Sequence, residues 1–351
     1  MERPAGIPGR PLFFMRSRSG PQPGSFSKII DHPWSAVMKD LVNGLVQERP
    51  FEPETENGEF RREERTFRHW ITAAGASRFR AEPHRYHLYV SYGCPWAHRT
   101  LIVRALKRLD TLVSVSVVEP VIGSQGWAFG TAARGTADTL YGKQYLHQLY
   151  VRAQPGFTGI VTVPVLWDRR NHTIVNNESS DIIRMFNTVF DACGGDATVD
   201  LYPAPLRPAI DALNAWIYDR INNGVYQAGF ATTQAAYEQA VDQLFAALDE
   251  LEQRLTHHPY LAGEQPTEAD WRLFPTLVRF DVAYHGLFKC NVRRLVDYPR
   301  LWNYTRRLYQ TPGVAETVRI DHIKQLYYSM PTLNPTGILP KGPALDFQTA
   351  G

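Results

Sequence analysis

Short apolar runs alternate with helix-period stripes along the first half of this 351-residue chain, and helix-period stripes fill the second. Residues 86–90 (YHLYV) and 112–118 (LVSVSVV) carry the aromatic and β-branched side chains that suit a pleated surface, which predicts two strands. Between them, TLIVRALKRL sets Leu101, Ile102, Ala105 and Leu109 at near-helical spacing with basic residues interleaved, an amphipathic helix. TVPVLWD (162–168) predicts a short strand with Pro164 at its start or edge, because proline cannot donate to a ladder, and with a cis peptide as one way to seat it. Thr173 to Val175 predicts a last strand, and Glu178 and Ser179 lead into a helix with Ile182, Ile183 and Phe186 inward. Such alternation predicts an α/β unit with a mainly parallel sheet.

From about residue 200 the period is helical throughout. Val241, Leu244, Phe245, Leu248, Leu251 and Leu255 form one stripe, and Trp216, Leu277 and Trp302 are expected on other core-facing helices. Thr267 followed by Asp270 reads as a capping box with an acid in the glutamate position, a folding signal for that carboxylate. The first 56 residues are rich in Pro, Gly, Ser and charge, with one helix-like piece around Trp34 to Val46, and are expected to be an extension outside the core. The organisation expected is therefore an extension (1–56), an α/β domain (57–195), an all-helical domain (196–330) and a proline- and glycine-rich tail (331–351).

Composition narrows the function classes. With 44% hydrophobic and 21% charged residues the chain reads as an ordinary globular protein, and 38 basic against 35 acidic residues leave a formal charge of +3, which does not argue for nucleic acid. Arg16, Arg18 and Lys28 make the amino-terminal tail basic, as solvated arms often are. No stretch approaches the roughly 18 consecutive apolar residues of a membrane span, and prolines and glycines interrupt the start where a signal peptide needs an apolar core. The three cysteines, Cys94, Cys193 and Cys290, are too few and too scattered for a disulfide framework or a Cys-x-x-Cys metal site, which points to a reducing cytoplasm and to chemistry without a metal.

Cys94 carries the chemistry. It falls in SYGCPWAHRT, between the first strand and the amphipathic helix, with Pro95 where the first helical residue should be. A thiol there faces unpaired N–H groups and the positive end of the helix dipole, which favour the thiolate, so a depressed pKa and a nucleophilic sulfur are expected. A dithiol redox motif would place a second cysteine three residues on, but that position is Ala97. Any mixed disulfide at Cys94 must be resolved by an outside thiol.

RYHLYVSYGCPWAHRTLI, IVNNESSDIIRM, RFDVAYHGLFKCN and LNPTGILPKGP, in this order, resemble the xi-class glutathione transferases, the glutathionyl-hydroquinone reductases, from about Phe60 to Pro343. The resemblance implies a thioredoxin-like α/β domain followed by an all-α glutathione-transferase domain, glutathione as co-substrate, a quinone-type aromatic as the other partner, and a homodimer. It assigns Cys94 as the nucleophile that takes the glutathionyl sulfur from the hydroquinone. Trp127, Val163, Pro164, Glu178 and Ser179 become the thiol-binding residues, and Tyr226, Tyr284 and Tyr327 the acceptor-binding ones, with His98 as helix support.

Two departures mark this chain. Ile160 stands where many members have an arginine for the thiol's carboxylate, a change worth about 1.5 to 3 kcal/mol of binding. Leu287 and Leu326 stand where histidines are common, with Tyr284 and His285 nearby to substitute. These departures keep a variant with another low-molecular-weight thiol or acceptor open, beside a non-catalytic ligand-binding homologue and a conjugating transferase.

Overall fold

The structure, a computed structural model, describes residues 40–47, 55–73, 77–130 and 134–349. It begins with two Asn-Gly hairpins. Asn43 (φ 50°) and Gly44 (φ 79°) supply the left-handed pair that a tight two-residue turn requires, and join β1 (Asp40–Val42) to β2 (Leu45–Val46). Asn57 and Gly58 do the same between β3 (Thr55–Glu56) and β4 (Glu59–Phe60). The helix expected near Trp34 to Val46 is thus a hairpin over residues 40–46, and residues 34–39 of that expectation lie outside the described residues. Nor is the expected extension wholly outside the core, since Leu41 is buried.

The central sheet is built from β5 (Tyr86–Val90), β6 (Val113–Val117), β8 (Val165–Asp168) and β9 (Thr173–Asn176), while β7 (Gly159–Ile160) pairs instead with β1. Strand order is β6-β5-β8-β9. Only β5 and β6 run parallel, joined through α1 (Pro95–Leu106); β8 is antiparallel to both neighbours. The expected mainly parallel sheet is therefore mixed. Its reason is connection length: Arg169 to His172 are too few residues for a crossover, and Asp168 closes the turn by accepting from the backbone N–H of Arg170 and Asn171. Pro164 follows a cis peptide and lies immediately before β8, as its missing donor demands.

After α2 (His147–Ala153) and α3 (Ser179–Thr188) the chain is helical: α4 (Arg207–Ile217), α5 (Gly224–Gly229), α6 (Gln234–Arg254), α7 (Glu268–Arg279), the single turn α8 (His285–Leu287), α9 (Pro299–Tyr309) and α10 (Ile320–Tyr328). Ile182, Ile183 and Phe186 are buried on α3, and the α6 stripe faces inward down to Leu251. Thr267 and Asp270 form the reciprocal capping box, and buried Asp270 also accepts from Tyr304 Oη at 2.8 Å, so this carboxylate is structural. Trp216 and Trp302 are half-buried and pack against the core, as expected of side chains on core-facing helices. Trp302 also covers the tail, where Phe347 packs against it and Tyr309.

Helix α1 packs on α3 and α7, and so joins the sheet to the helices. Wide π-helical turns at Tyr218–Asn222 and Phe280–Tyr284 interrupt the helical half and turn Asn222 and Tyr284 inward. No helix among the described residues is long and apolar enough to cross a membrane.

Candidate active site

Cys94 is the N-cap of α1, in extended conformation (φ −77°, ψ 123°), with Pro95 opening the helix. Its Sγ lies 3.7 Å from the carbonyl oxygen of Val163, the residue before the cis proline. The turn that holds it has no room to spare. A Cβ on Gly93 would come within 2.7 Å of Leu326 Cβ, so glycine is what lets the loop lie against α10.

Arg279, at the end of α7 and fully buried, clamps the same turn. Its Nε donates to Gly93 O at 3.0 Å, Nη2 to Tyr92 O at 2.8 Å, and Nη1 to Pro275 O at 2.8 Å and His98 Nδ1 at 2.9 Å. Arginine only donates, so His98 must accept at Nδ1 and carry its proton on Nε2, from which it donates to Thr317 Oγ1 at 2.8 Å. Burial, and then Arg279, hold its pKa well below the ordinary histidine value. His98 is the neutral strut expected of it.

The thiol itself departs from expectation. Burial pushes the Cys94 pKa up, and the backbone N–H groups of Ala97 and Trp96 with the charges of Arg279 and Arg62 pull against it without prevailing. The helix start acts as foreseen, but desolvation outweighs it. Cys290, wholly buried, is pushed up too, by burial with nothing opposing it, and Cys193 is half-buried near the chain turn after α3.

Cys94 opens into a cavity of about 270 Å³ with two unlike halves. On one side stand Trp127, Thr162, Val163, Pro164, Asn177, Glu178 and Ser179. Glu178 is the N-cap of α3: its Oε1 accepts from Ser180 N at 2.9 Å, Ser180 Oγ at 3.0 Å and Ser179 Oγ at 3.3 Å. Arg99, buried beneath, donates to Ser179 Oγ at 3.4 Å and to Asn222 Oδ1 at 2.6 Å, and its guanidinium lies over the Trp96 ring. Trp127 is buried with its Nε1–H unpartnered among the described residues, a donor left for a ligand. Ile160, in β7, is half-buried and does not line the cavity.

On the other side stand Phe60, Arg62, Trp96, Tyr218, Tyr226, Phe230, Leu326, Tyr327 and Met330. Tyr226 Oη and Tyr327 Oη are 2.7 Å apart, and Tyr284 Oη is 2.8 Å from Tyr327 Oη. Burial raises the pKa of all three, so they remain neutral phenols that donate. Tyr284 does not reach the cavity, a correction to its expected contact with the acceptor: it stands behind Tyr327 and orients that hydroxyl. His285 and Leu287 are likewise off the cavity wall, whereas Leu326 lies on it.

Sequence reading missed Arg62, Phe60, Trp96, Arg99 and Arg279. Phe60 and Arg62 sit in GEFRREER, where charge masks any apolar period, yet the Asn-Gly turn just before was a legible hairpin signal.

Residues 93–189 match the family described as glutathione S-transferase, N-terminal domain, and residues 234–307 match glutathione S-transferase, C-terminal domain. The glutathionyl-hydroquinone reductase YqjG of Escherichia coli K12 is 53% identical over 317 residues, covering 88% of this chain and 96% of that protein. The glutathione-bound structure of the same protein superposes with a TM-score of 0.81 at 51% identity, over 89% of this chain and 97% of the other. A xi-class glutathione transferase from Natrialba magadii superposes with a TM-score of 0.83 at 48% identity, over 90% and 96%.

Proposed function

The chain belongs to the glutathione S-transferase family, in the xi class of glutathionyl-hydroquinone reductases, and from that premise we infer that it removes glutathione from glutathionyl-hydroquinones through a mixed disulfide at Cys94. The observation that carries this reading is the position of one thiol between two kinds of wall. A peptide-like edge with a helix start lies on one side of Cys94 Sγ, and a cluster of phenolic hydroxyls on the other.

The glutathionyl moiety lies along the first wall. Val163, held by the cis proline, offers backbone groups to its cysteinyl unit, Glu178 and Ser179 at the start of α3 hold the γ-glutamyl end, and Trp127 Nε1–H donates to a carboxylate. The hydroquinone ring lies among Tyr226, Tyr327 and Trp96. The Cys94 thiolate attacks the glutathionyl sulfur. The sulfur–carbon bond breaks, its electron pair passes to the ring carbon, that carbon takes up a proton, and the free hydroquinone leaves. Tyr327, kept protonated by burial and accepting from Tyr226 and Tyr284, donates its one proton to the ring oxygen as charge develops on it, the arrangement that stabilises an oxyanion in a water-poor site. A second glutathione thiolate then attacks the mixed disulfide, so that glutathione disulfide departs and the Cys94 thiolate returns.

With no second cysteine in the cavity the resolving thiol must be a co-substrate, and three free cysteines suit a reducing cytoplasm. The purified protein, given a glutathionyl-hydroquinone and a panel of small thiols, is expected to release hydroquinone with glutathione as the preferred reductant. Equal or faster turnover with another thiol and none with glutathione would overturn the assignment of the co-substrate.

A further inference from the structure

Arg62 follows β4 and reaches into the half of the cavity that faces away from Glu178. Its guanidinium carbon lies 4.6 Å from the Tyr226 ring centre, 4.9 Å from that of Trp96 and 5.2 Å from that of Phe60. Its Nε donates to Asn223 Oδ1 at 2.9 Å. Three aromatic faces and one amide thus hold the group in place, and the rings also make the desolvated cation tolerable. What one end of it lacks is a partner. Glu63 and Glu64 line the same cavity, yet Nη2 is buried with no hydrogen-bond partner among the described residues. A buried charged donor left unpaired is costly unless a bound group completes it.

Resting on the reductase reading above, we propose that Arg62 is the anion-recognising group of the acceptor half, so that the site takes its aromatic with one ring oxygen ionised and placed against Nη2. The aromatic then lies in the cavity against the guanidinium that Trp96, Tyr226 and Phe60 hold in place. Arg62 is a specificity-determining residue on this account, distinct from the thiol that carries the covalent step.

The test compares binding of para-nitrophenolate, at a pH where it is ionised, with its uncharged methyl ether para-nitroanisole, read by quenching of the cavity tryptophans. Wild-type protein should bind the phenolate at least tenfold more tightly than the ether. Arg62→Gln should lose that preference with affinity for the ether unchanged, and Arg62→Lys should recover part of it. A wild-type protein that does not distinguish the two probes overturns the proposal. So does an Arg62→Gln variant that keeps the preference, or one that weakens both probes equally, as a merely structural residue would. Failure of the reductase reading would show separately, as no hydroquinone released from its glutathionyl conjugate by a wild-type protein that still prefers the phenolate.

Discussion

The two halves of the cavity are made in different ways. The thiol half is assembled from a strand end, a cis-proline turn and two helix starts, and its contacts are backbone groups and short polar side chains at Val163, Glu178 and Ser179. The acceptor half is assembled from side chains of four separated segments: Phe60 and Arg62, Trp96, Tyr218 to Phe230, and Leu326 to Met330. A backbone-built site tolerates change in neighbouring side chains, whereas a side-chain-built site is redefined by each substitution. Of the two leucine departures, Leu326 falls on the side-chain-built half, while Leu287 lies off the cavity.

The largest effect separates the shared nucleophile from everything around it. Cys94→Ser should abolish hydroquinone release, while Cys193→Ser and Cys290→Ser retain most of it, since neither of those thiols lines the cavity; a steady-state assay of the three variants decides this. Next comes the clamp on the thiol half. Arg279→Met leaves the carbonyls of Gly93, Tyr92 and Pro275 without their buried donor, at about 1 to 3 kcal/mol for each, and frees the Cys94 turn to shift. Turnover should fall on the order of a hundredfold, as displacement of a reacting group by an ångström does, together with a lower denaturation midpoint.

A smaller loss is expected in the acceptor half. Tyr327→Phe removes the hydroxyl that links Tyr226 and Tyr284 and should lower kcat by roughly ten- to a hundredfold with glutathione binding unchanged. Tyr284→Phe should cost less, because its hydroxyl acts through Tyr327. Equal losses in the two variants would contradict the placement of Tyr284 behind the wall.

The smallest effect concerns the thiol's titration in the ligand-free protein. Burial raises its pKa, so at neutral pH the thiolate is the minor form and its fraction grows roughly tenfold per pH unit until the pKa is reached. Alkylation of Cys94 should therefore accelerate with pH past the midpoint of free cysteine. A midpoint below that of free cysteine would restore the helix dipole as the dominant influence.

The same contrast explains what the sequence disclosed. The Cys-Pro helix start, the Val-Pro turn and the Glu-Ser helix start are each contiguous in the chain, so their strand and helix context could be read directly, although the thiol-binding roles of Trp127, Val163, Pro164, Glu178 and Ser179 rested on the resemblance to related chains. Tyr226 and Tyr327 were reached only through a resemblance to related chains, because nothing local marks a tyrosine as facing a ligand. Arg279 was invisible for a different reason: a buried arginine is explained by the carbonyls it meets, and Gly93 and Tyr92 lie far from it in sequence. The antiparallel β8 and β9 could have been foreseen from their short connection, as could both hairpins from Asn43-Gly44 and Asn57-Gly58. There the turn chemistry was present and the Pro- and charge-rich composition around it prevailed in the reading.

The central claim is that the glutathionyl group passes through Cys94. Mixing the protein with an equimolar glutathionyl-hydroquinone in the absence of free glutathione, then measuring intact mass and mapping the modified peptide, tests it most directly. One glutathionyl adduct on Cys94 for each hydroquinone released, discharged on adding glutathione, is the result expected. Hydroquinone released with Cys94 unmodified, or an adduct confined to Cys193 or Cys290, would contradict it.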